Sequence, residues 1–223
     1  STILTDDHYN PERKNEFLFI MQSNNCNLNN VNIEARETKN IESLYNSQVY
    51  VGATNINILG CSFKVPETTS SQHAYNNIDL YSNWHNVLIE NCIFAGTDIG
   101  VRFKSAMGRG GVVEDITIRN IQMNNIINEA IIFTMGYVLV NIEDEHENKE
   151  EKLDSEDIPE FKNIIMENIN VSGCEKAIKI NGLKEKPIHD LSFNNINIKA
   201  NKDIDISYAE NINFNNVNIL SLS

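Results

Sequence analysis

Short segments of alternating apolar and polar residues recur along the chain, each interrupted by asparagine. The segments share one form: an alternating strand, then Asn, then an apolar residue and a second short strand. The apolar residue that follows the Asn recurs at Val31, Cys61, Cys92, Ile121, Ile169, Ile196 and Val217, with spacings of 30, 31, 29, 48, 27 and 21 residues. A period of this length with strand patterning predicts a solenoid of stacked β-coils.

The pattern therefore predicts an all-β fold, a right-handed parallel β-helix of about seven coils, as one domain over residues 1–223. One coil cannot bury its apolar face alone, whereas coils stacked about 4.8 Å apart bury a continuous core.

Asn contributes 36 and Ile 31 of the 223 residues. Asn tolerates the left-handed bend between sheets, and its amide can bond to the Asn of the next coil.

A second set of alternating strands follows each repeat, with inward apolar pairs such as Val101/Phe103 and Ile131/Phe133. The alternate residues then point outward, because strand side chains alternate between faces. One outward column is expected to hold Asp79, Arg102, Ile132, Lys179 and Asp205, and the next Tyr81, Lys104, Thr134, Asn181 and Ser207. We expect the chemistry of the protein on this sheet.

Charge and hydropathy exclude two classes of partner. Asp and Glu number 31 against 18 Lys and Arg, giving a net charge of -13, which argues against binding nucleic acid through phosphate neutralisation. No apolar run approaches the ~18–20 residues that span a membrane.

Residues 143–160 hold ten acids and two Lys. They predict a solvated acidic insertion at about 141–160, with a short helix as one possibility and a calcium site as the alternative.

The four cysteines and five histidines do not have the spacing of a zinc site, so we predict neither a metal nor another cofactor. Cys61 and Cys92 occupy the same position of the repeat. Free Cys packs as a small hydrophobic residue. These two are therefore expected to stack in the core.

The most specific motifs lie between residues 91 and 137. Residues 97–105 are TDIGVRFKS, residues 108–111 are GRGG, and residues 177–188 are AIKINGLKEKPI. These segments resemble bacterial polygalacturonases of glycoside hydrolase family 28, which carry TD-x-G-[IVL]-R-x-K-[ST], then GRGG, then AI-x-I-x-GLPE-x-PI. The resemblance extends over residues 85–220.

This resemblance implies a pectin-acting β-helix enzyme that hydrolyses α-1,4-galacturonan with inversion. Arg102 and Lys104 match the family's Arg-x-Lys pair and are expected to bind the galacturonate carboxylate. Inversion needs two carboxyl groups about 6.5–9.5 Å apart. Asp98 is the expected acid and Asp79 the expected second carboxylate. Two further substrate contacts are expected: Tyr81 by stacking on a sugar face, and His73 as the nearest counterpart of the family's Gly-His-Gly histidine.

The chain departs from the family elsewhere. Asn76 stands where the family's Asn-Thr-Asp motif has its Asp, and an amide cannot act as a general acid or base. The Asp–Asp pair has no coil of its own, and the Gly-His-Gly motif is absent. One alternative is therefore a catalytically inactive relative, or an enzyme fragment, that binds acidic oligosaccharide or serves a structural role. In that case Asp79 and Arg102 form an ion pair between neighbouring coils.

Two further alternatives are a calcium-dependent pectate lyase or epimerase, which would use Asp79 and Asp98 beside Arg102, and an adhesin-type β-helix that shares only the fold. We expect the partner to be an acidic polysaccharide or oligogalacturonide, and the protein to be a monomer. A secreted or periplasmic location is expected, although the chain begins at Ser1 without a signal peptide and a cytoplasmic location stays open.

Overall fold

The computed structural model of the chain describes residues 2–5, 17–21, 24–35, 45–51, 54–64, 74–80, 84–136 and 155–222. In these ranges the chain forms sixteen β-strands and one short 3-10 helix. The strands are β1 (Thr2–Thr5), β2 (Phe17–Met21), β3 (Asn27–Asn29), β4 (Asn32–Ala35), β5 (Tyr45–Val51), β6 (Ile56–Leu59), β7 (Ser62–Lys64), β8 (Ala74–Leu80), β9 (Trp84–Glu90), β10 (Ile93–Ala95), β11 (Val101–Lys104), β12 (Val112–Asn124), β13 (Glu129–Thr134), β14 (Glu160–Asn181), β15 (Ile188–Ser207) and β16 (Ala209–Ser221). The 3-10 helix is Ser155–Asp157.

Every pairing between these strands is parallel, and each strand pairs with its counterpart one coil away. One run of pairings follows β3, β6, β9 and β12, and another follows β2, β5, β8, β11 and β13. Both runs continue into β14, whose first half pairs with β12 and second half with β13. The chain thus folds as the predicted right-handed parallel β-helix, the hand that parallel crossovers take almost without exception.

Two left-handed residues five positions apart bend most coils. Their φ angles lie between 50° and 64°, and the pairs are Asn25/Asn30, Asn55/Gly60, Asn86/Asn91, Asp115/Asn120, Asn163/Asn168, Asp190/Asn195 and Asn211/Asn216. Asn and Gly are the residues that occupy this region most readily. The sequence predicts short separate strands here. In β12 and β14 to β16 the parallel ladder instead continues through these bends, so each forms one long strand.

The bend asparagines also form the predicted ladder of side-chain amides. Asn120 donates to Asn91 (3.1 Å), Asn168 to Asn120 (3.0 Å) and Asn195 to Asn168 (3.2 Å). Asn216 continues the ladder by donating to Asn195 at 2.9 Å. Asn120, Asn168 and Asn195 therefore each use the side-chain oxygen for one neighbouring coil and the nitrogen for the other.

The core is a set of apolar columns that run along the helix. Ile121, Ile169, Ile196 and Val217 lie in register, as the repeat predicts. The Phe103 and Phe133 rings stack in parallel with centroids 4.5 Å apart. Cys61 and Cys92 are each 1% exposed, so the predicted stacked cysteines are confirmed.

Residues 137–154, most of the predicted acidic insertion, lie outside the described residues. Strand β14 already begins at Glu160, the last residue assigned to that insertion. The described part of the chain contains no helix long and apolar enough to cross a membrane.

Candidate functional site

Two outward columns run along the sheet built from β8, β11, β13, β14 and β15. Arg102 pairs in register with Asp79 on one side and with Ile132 on the other. Lys179 and Asp205 continue that column. The second column runs from Lys104 through Thr134 and Asn181 to Ser207. The register predicted from the sequence is thereby confirmed for these positions, while Tyr81 lies outside the described residues.

Strand β11 points Arg102 and Lys104 outward because its alternate residues are core. Val101 is 4% exposed and Phe103 is fully buried. Arg102 and Lys104 are partly buried. None of the side chains that the structure describes forms an ion pair with Arg102, and its Nε is buried without a hydrogen-bond partner among them. A guanidinium in this condition carries a positive charge and N–H donors that an anion can satisfy.

Ile132 lies between Arg102 and Lys179 in the first column, yet it is only 7% exposed. The sequence places it on the outer face with charged neighbours. Long basic side chains cover apolar surface along their stems, and Ile132 has one such neighbour on each adjacent coil. The column therefore has one cation on each side of an apolar rung: Arg102 on one adjacent coil and Lys179 on the other.

Asp98 lies in the turn that leads into β11, and it is 9% exposed. The turn stacks on the next coil through hydrogen bonds from Ile127 N to Thr97 O (3.0 Å) and from Asn128 N to Asp98 O (2.8 Å). Asn128 Nδ2 also donates to Asp98 Oδ1. Burial raises the pKa of the Asp98 carboxyl, and the Asn128 amide and the Arg102 charge oppose this shift without cancelling it.

Glu129 is a second carboxylate at this place, and the sequence reasoning missed it. Its backbone oxygen accepts a hydrogen bond from Gly100 N at 3.0 Å, so it lies one coil above the Asp98 turn. Its negative charge adds to the rise in the pKa of Asp98. Aligning the turn at Asp98 with the turn at Asn128 would have revealed the pair, because stacked turns bring equivalent positions together.

The Gly108–Gly111 loop has a structural role in this fold. Gly108 N and Gly110 N both donate to Asp157 O, at 3.0 and 2.9 Å, which docks the 3-10 helix against the loop. Gly110 has φ +58°, and a Cβ there would collide with the Glu156 carbonyl oxygen. The glycines therefore seat the segment that leads into β14 against the loop that follows β11.

The structure thus brings Asp98, Arg102 and Lys104 together on one coil. The backbone of Asp79 lies opposite Arg102 on the preceding coil. The predicted contacts at His73 and Tyr81 fall outside the described residues. Within the described ranges, no cluster of three or more His, Cys, Asp or Glu side chains has the geometry to hold a metal ion.

Comparisons with known proteins agree with this architecture. Residues 78–219 match the family described as glycosyl hydrolases family 28. The chain is also 26% identical to an exo-poly-alpha-D-galacturonosidase of Dickeya chrysanthemi, in an alignment that covers 91% of this chain and 36% of the relative. The chain thus spans about a third of the length of that relative. Because the family match includes 142 of the 223 residues, this chain belongs to glycosyl hydrolases family 28.

Proposed function

We propose that this chain acts on galacturonan as an inverting glycoside hydrolase of the polygalacturonase type. The single observation that carries the proposal is Arg102, a partly buried cation on the outer sheet without an ion-pair partner among the described side chains. In a chain of net charge -13, such a cation is suited to an acidic ligand. The matched Arg-x-Lys spacing puts Lys104 on the same outward face, two residues further along β11.

Arg102 and Lys104 would bind one galacturonate carboxylate between them. The guanidinium offers two parallel N–H groups in a planar fork, and the ammonium adds a point charge that tolerates several orientations. Charge-assisted bonds of this kind are worth about 1.5–3 kcal/mol. We therefore expect Arg102→Ala to weaken oligogalacturonide binding by roughly ten- to a hundredfold.

Asp98 would serve as the general acid. Its burial raises the pKa of its carboxyl, and a raised pKa favours the protonated form that a general acid needs. The Asp98 proton would pass to the glycosidic oxygen as the bond from that oxygen to the anomeric carbon breaks. A water attacking the opposite face of the sugar would give up its proton to a second carboxylate.

Asp79 is our proposed second carboxylate, because its backbone lies in register with Arg102. Glu129 is the competing assignment, because its charge acts on Asp98. The two assignments predict different variants to be inactive: Asp79→Asn in the first case and Glu129→Gln in the second.

We further propose an extracellular or periplasmic place of action and a monomeric state, which suit an enzyme that meets a polymeric substrate.

A second candidate function is binding of acidic oligosaccharide without hydrolysis. The amide Asn76, at the position of a family acid, and the low exposure of Asp98 favour it. An aspartate that is 9% exposed and bonded to Asn128 also fits a purely structural role in the turn. Under this function Arg102 and Lys104 keep their ligand, but Asp98 does not touch it.

Release of reducing ends from polygalacturonate tests these functions against each other. The wild type, Asp98→Asn and Arg102→Ala would be compared with Arg119→Ala, which removes an Arg that pairs with Glu90 on another face at 2.7 Å. Hydrolysis predicts full activity in the wild type and Arg119→Ala, reduced activity in Arg102→Ala and none in Asp98→Asn. Binding without release, lost in Arg102→Ala but kept in Asp98→Asn, would favour the second function. If the wild type shows neither release of reducing ends nor binding, both proposed functions are wrong.

A further inference from the structure

The donor pair of β11 has a counterpart two coils further along the same sheet. Lys179 lies in the column of Arg102, and Asn181 lies in the column of Lys104, with the rung of Ile132 and Thr134 between them. Both are on the outward side of β14, since the alternate residues Ile178 and Ile180 are buried. The chain thus repeats one arrangement, a cation and a second donor two residues apart, on coils separated by one rung.

Lys179 resembles Arg102 in its charge environment. Other basic side chains near this sheet are paired, such as Lys176 with Asp205 (2.9 Å) and Lys202 with Glu175 (2.7 Å). The hydrogen bond from Lys176 is the main cause of the lowered pKa of Asp205, and Lys179, in register with Asp205, adds only a weaker effect of its charge. Within the described part of the chain, Lys179 has no ion-pair partner within 4 Å. Its ammonium therefore keeps donors for a ligand.

Asn181 is held in one orientation by its neighbour. Ser207 Oγ donates to Asn181 Oδ1 at 2.8 Å, which leaves the amide nitrogen to donate elsewhere. Gly136 lies next to this nitrogen, and even a Cβ at Gly136 would only reach van der Waals distance from it, 3.7 Å. An ammonium and an amide N–H side by side match the acceptors of a carboxylate.

From this repetition we propose that Lys179 and Asn181 form a second carboxylate subsite, for a uronate further along the same glycan chain. The inference rests on the function proposed above. Neighbouring rungs lie about 4.8 Å apart, so the two subsites are separated by about 9.6 Å along the helix axis. A glycan lying along the columns would meet Arg102 and Lys104 first, cross the apolar rung at Ile132, and reach Lys179 and Asn181. The subsite would make binding depend on substrate length and on the acid groups of the distal sugar.

Calorimetric titration with galacturonic acid and with oligogalacturonides of increasing length tests this subsite. Lys179→Gln is compared with Lys199→Gln, which removes the same charge from an exposed position on another face of β15. We expect Lys179→Gln to weaken binding of the longer oligomers by about tenfold. Lys179→Gln should leave the affinity for the monosaccharide galacturonic acid unchanged. Lys179→Arg should keep most of the wild-type affinity for the longer oligomers. Circular dichroism and a thermal melt would show that the variants are folded.

The possible results separate the two proposals. If the wild type binds oligomers and Arg102→Ala weakens oligomers of every length, the first site stands. If in that case Lys179→Gln binds long oligomers as Lys199→Gln does, the second subsite is wrong and the proposed function survives. If affinity does not rise with oligomer length in the wild type, the second subsite is also wrong. If the wild type binds no oligogalacturonide, both proposals fall.

Discussion

The side-chain amide of Asn128 donates a hydrogen bond to the carboxylate of Asp98 on the preceding coil. The backbone N–H of Asn128 donates to the carbonyl oxygen of Asp98 as well, at 2.8 Å. Two consecutive turns are thus joined through one pair of residues. The same turn leads directly into β11, so this pair also fixes where Arg102 leaves the turn and joins the outer sheet.

Removal of the Asn128 amide is predicted to raise the pKa of Asp98 further. Burial raises the pKa of this carboxyl and the Asn128 hydrogen bond lowers it, so Asn128→Ala leaves burial less opposed. Titration of the Asp98 carboxyl carbon by NMR measures the change. Asn197→Ala, which removes a ladder amide on another face, serves as the control. An unchanged or lowered pKa in Asn128→Ala would contradict this account of the turn.

Glu160 is predicted to contribute stability that disappears in acid. Burial would raise the pKa of Glu160, but contacts with Lys162 (2.9 Å), Lys186 (3.1 Å) and His189 (3.3 Å) outweigh it and lower the pKa to about 2. The ordinary value is 4.5. A depressed pKa adds stability that is complete above 4.5 and is lost as the pH falls towards 2.

The melting temperature of the wild type should therefore fall more steeply than that of Glu160→Gln between pH 4.5 and about 2. Above this window the wild type should be the more stable of the two. Glu156→Gln, at an exposed position of the 3-10 helix, provides the matched control. Parallel pH profiles for wild type and Glu160→Gln would show that the contacts with Lys162, Lys186 and His189 do not hold this carboxylate in its charged form.

The bend asparagines are predicted to stabilise the fold in two separable ways. Asn168 has φ 53° and takes part in ladder bonds to Asn120 (3.0 Å) and from Asn195 (3.2 Å). Asn168→Gly keeps the left-handed backbone and loses the ladder, whereas Asn168→Ala loses both. We expect Asn168→Ala to lower the free energy of unfolding by about 1–3 kcal/mol and Asn168→Gly to lower it less. Urea denaturation would measure both, and equal losses would assign the whole effect to the ladder.

A side chain at Gly100 is predicted to disturb the site. A Cβ there would lie 2.5 Å from the Ala130 carbonyl oxygen and 2.6 Å from Met123 Sδ, so the backbone between Asp98 and Arg102 would have to shift. We expect Gly100→Ala to destabilise the fold by about 1–3 kcal/mol and to weaken oligogalacturonide binding. Gly136→Ala, whose Cβ meets only an ordinary contact at 3.7 Å, should keep wild-type stability. Unchanged stability in Gly100→Ala would contradict the close packing of these coils.

The sequence repeat made most of the fold predictable, because the same order of alternating strand, Asn and apolar residue recurs in each coil. The register of Arg102 with Asp79 and Ile132 follows from counting residues between equivalent apolar positions, and the structure confirms it. The burial of Ile132 did not follow, because strand alternation places it on the outer face, where the structure leaves it only 7% exposed. The nearness of Glu129 to Asp98 was missed for a related reason: turns lack the alternation that aligns strands, so their stacking has to be read from hydrogen bonds such as Gly100 N to Glu129 O.

The anomeric configuration of the first product released from a galacturonan oligomer tests the central claim most directly. Inverting hydrolysis of the α-linkage predicts that the new reducing end appears first as the β-anomer, observed by proton NMR before mutarotation, and that Asp98→Asn releases none. An α-anomer as first product, an unsaturated sugar from elimination, or no product from any oligomer would contradict the claim.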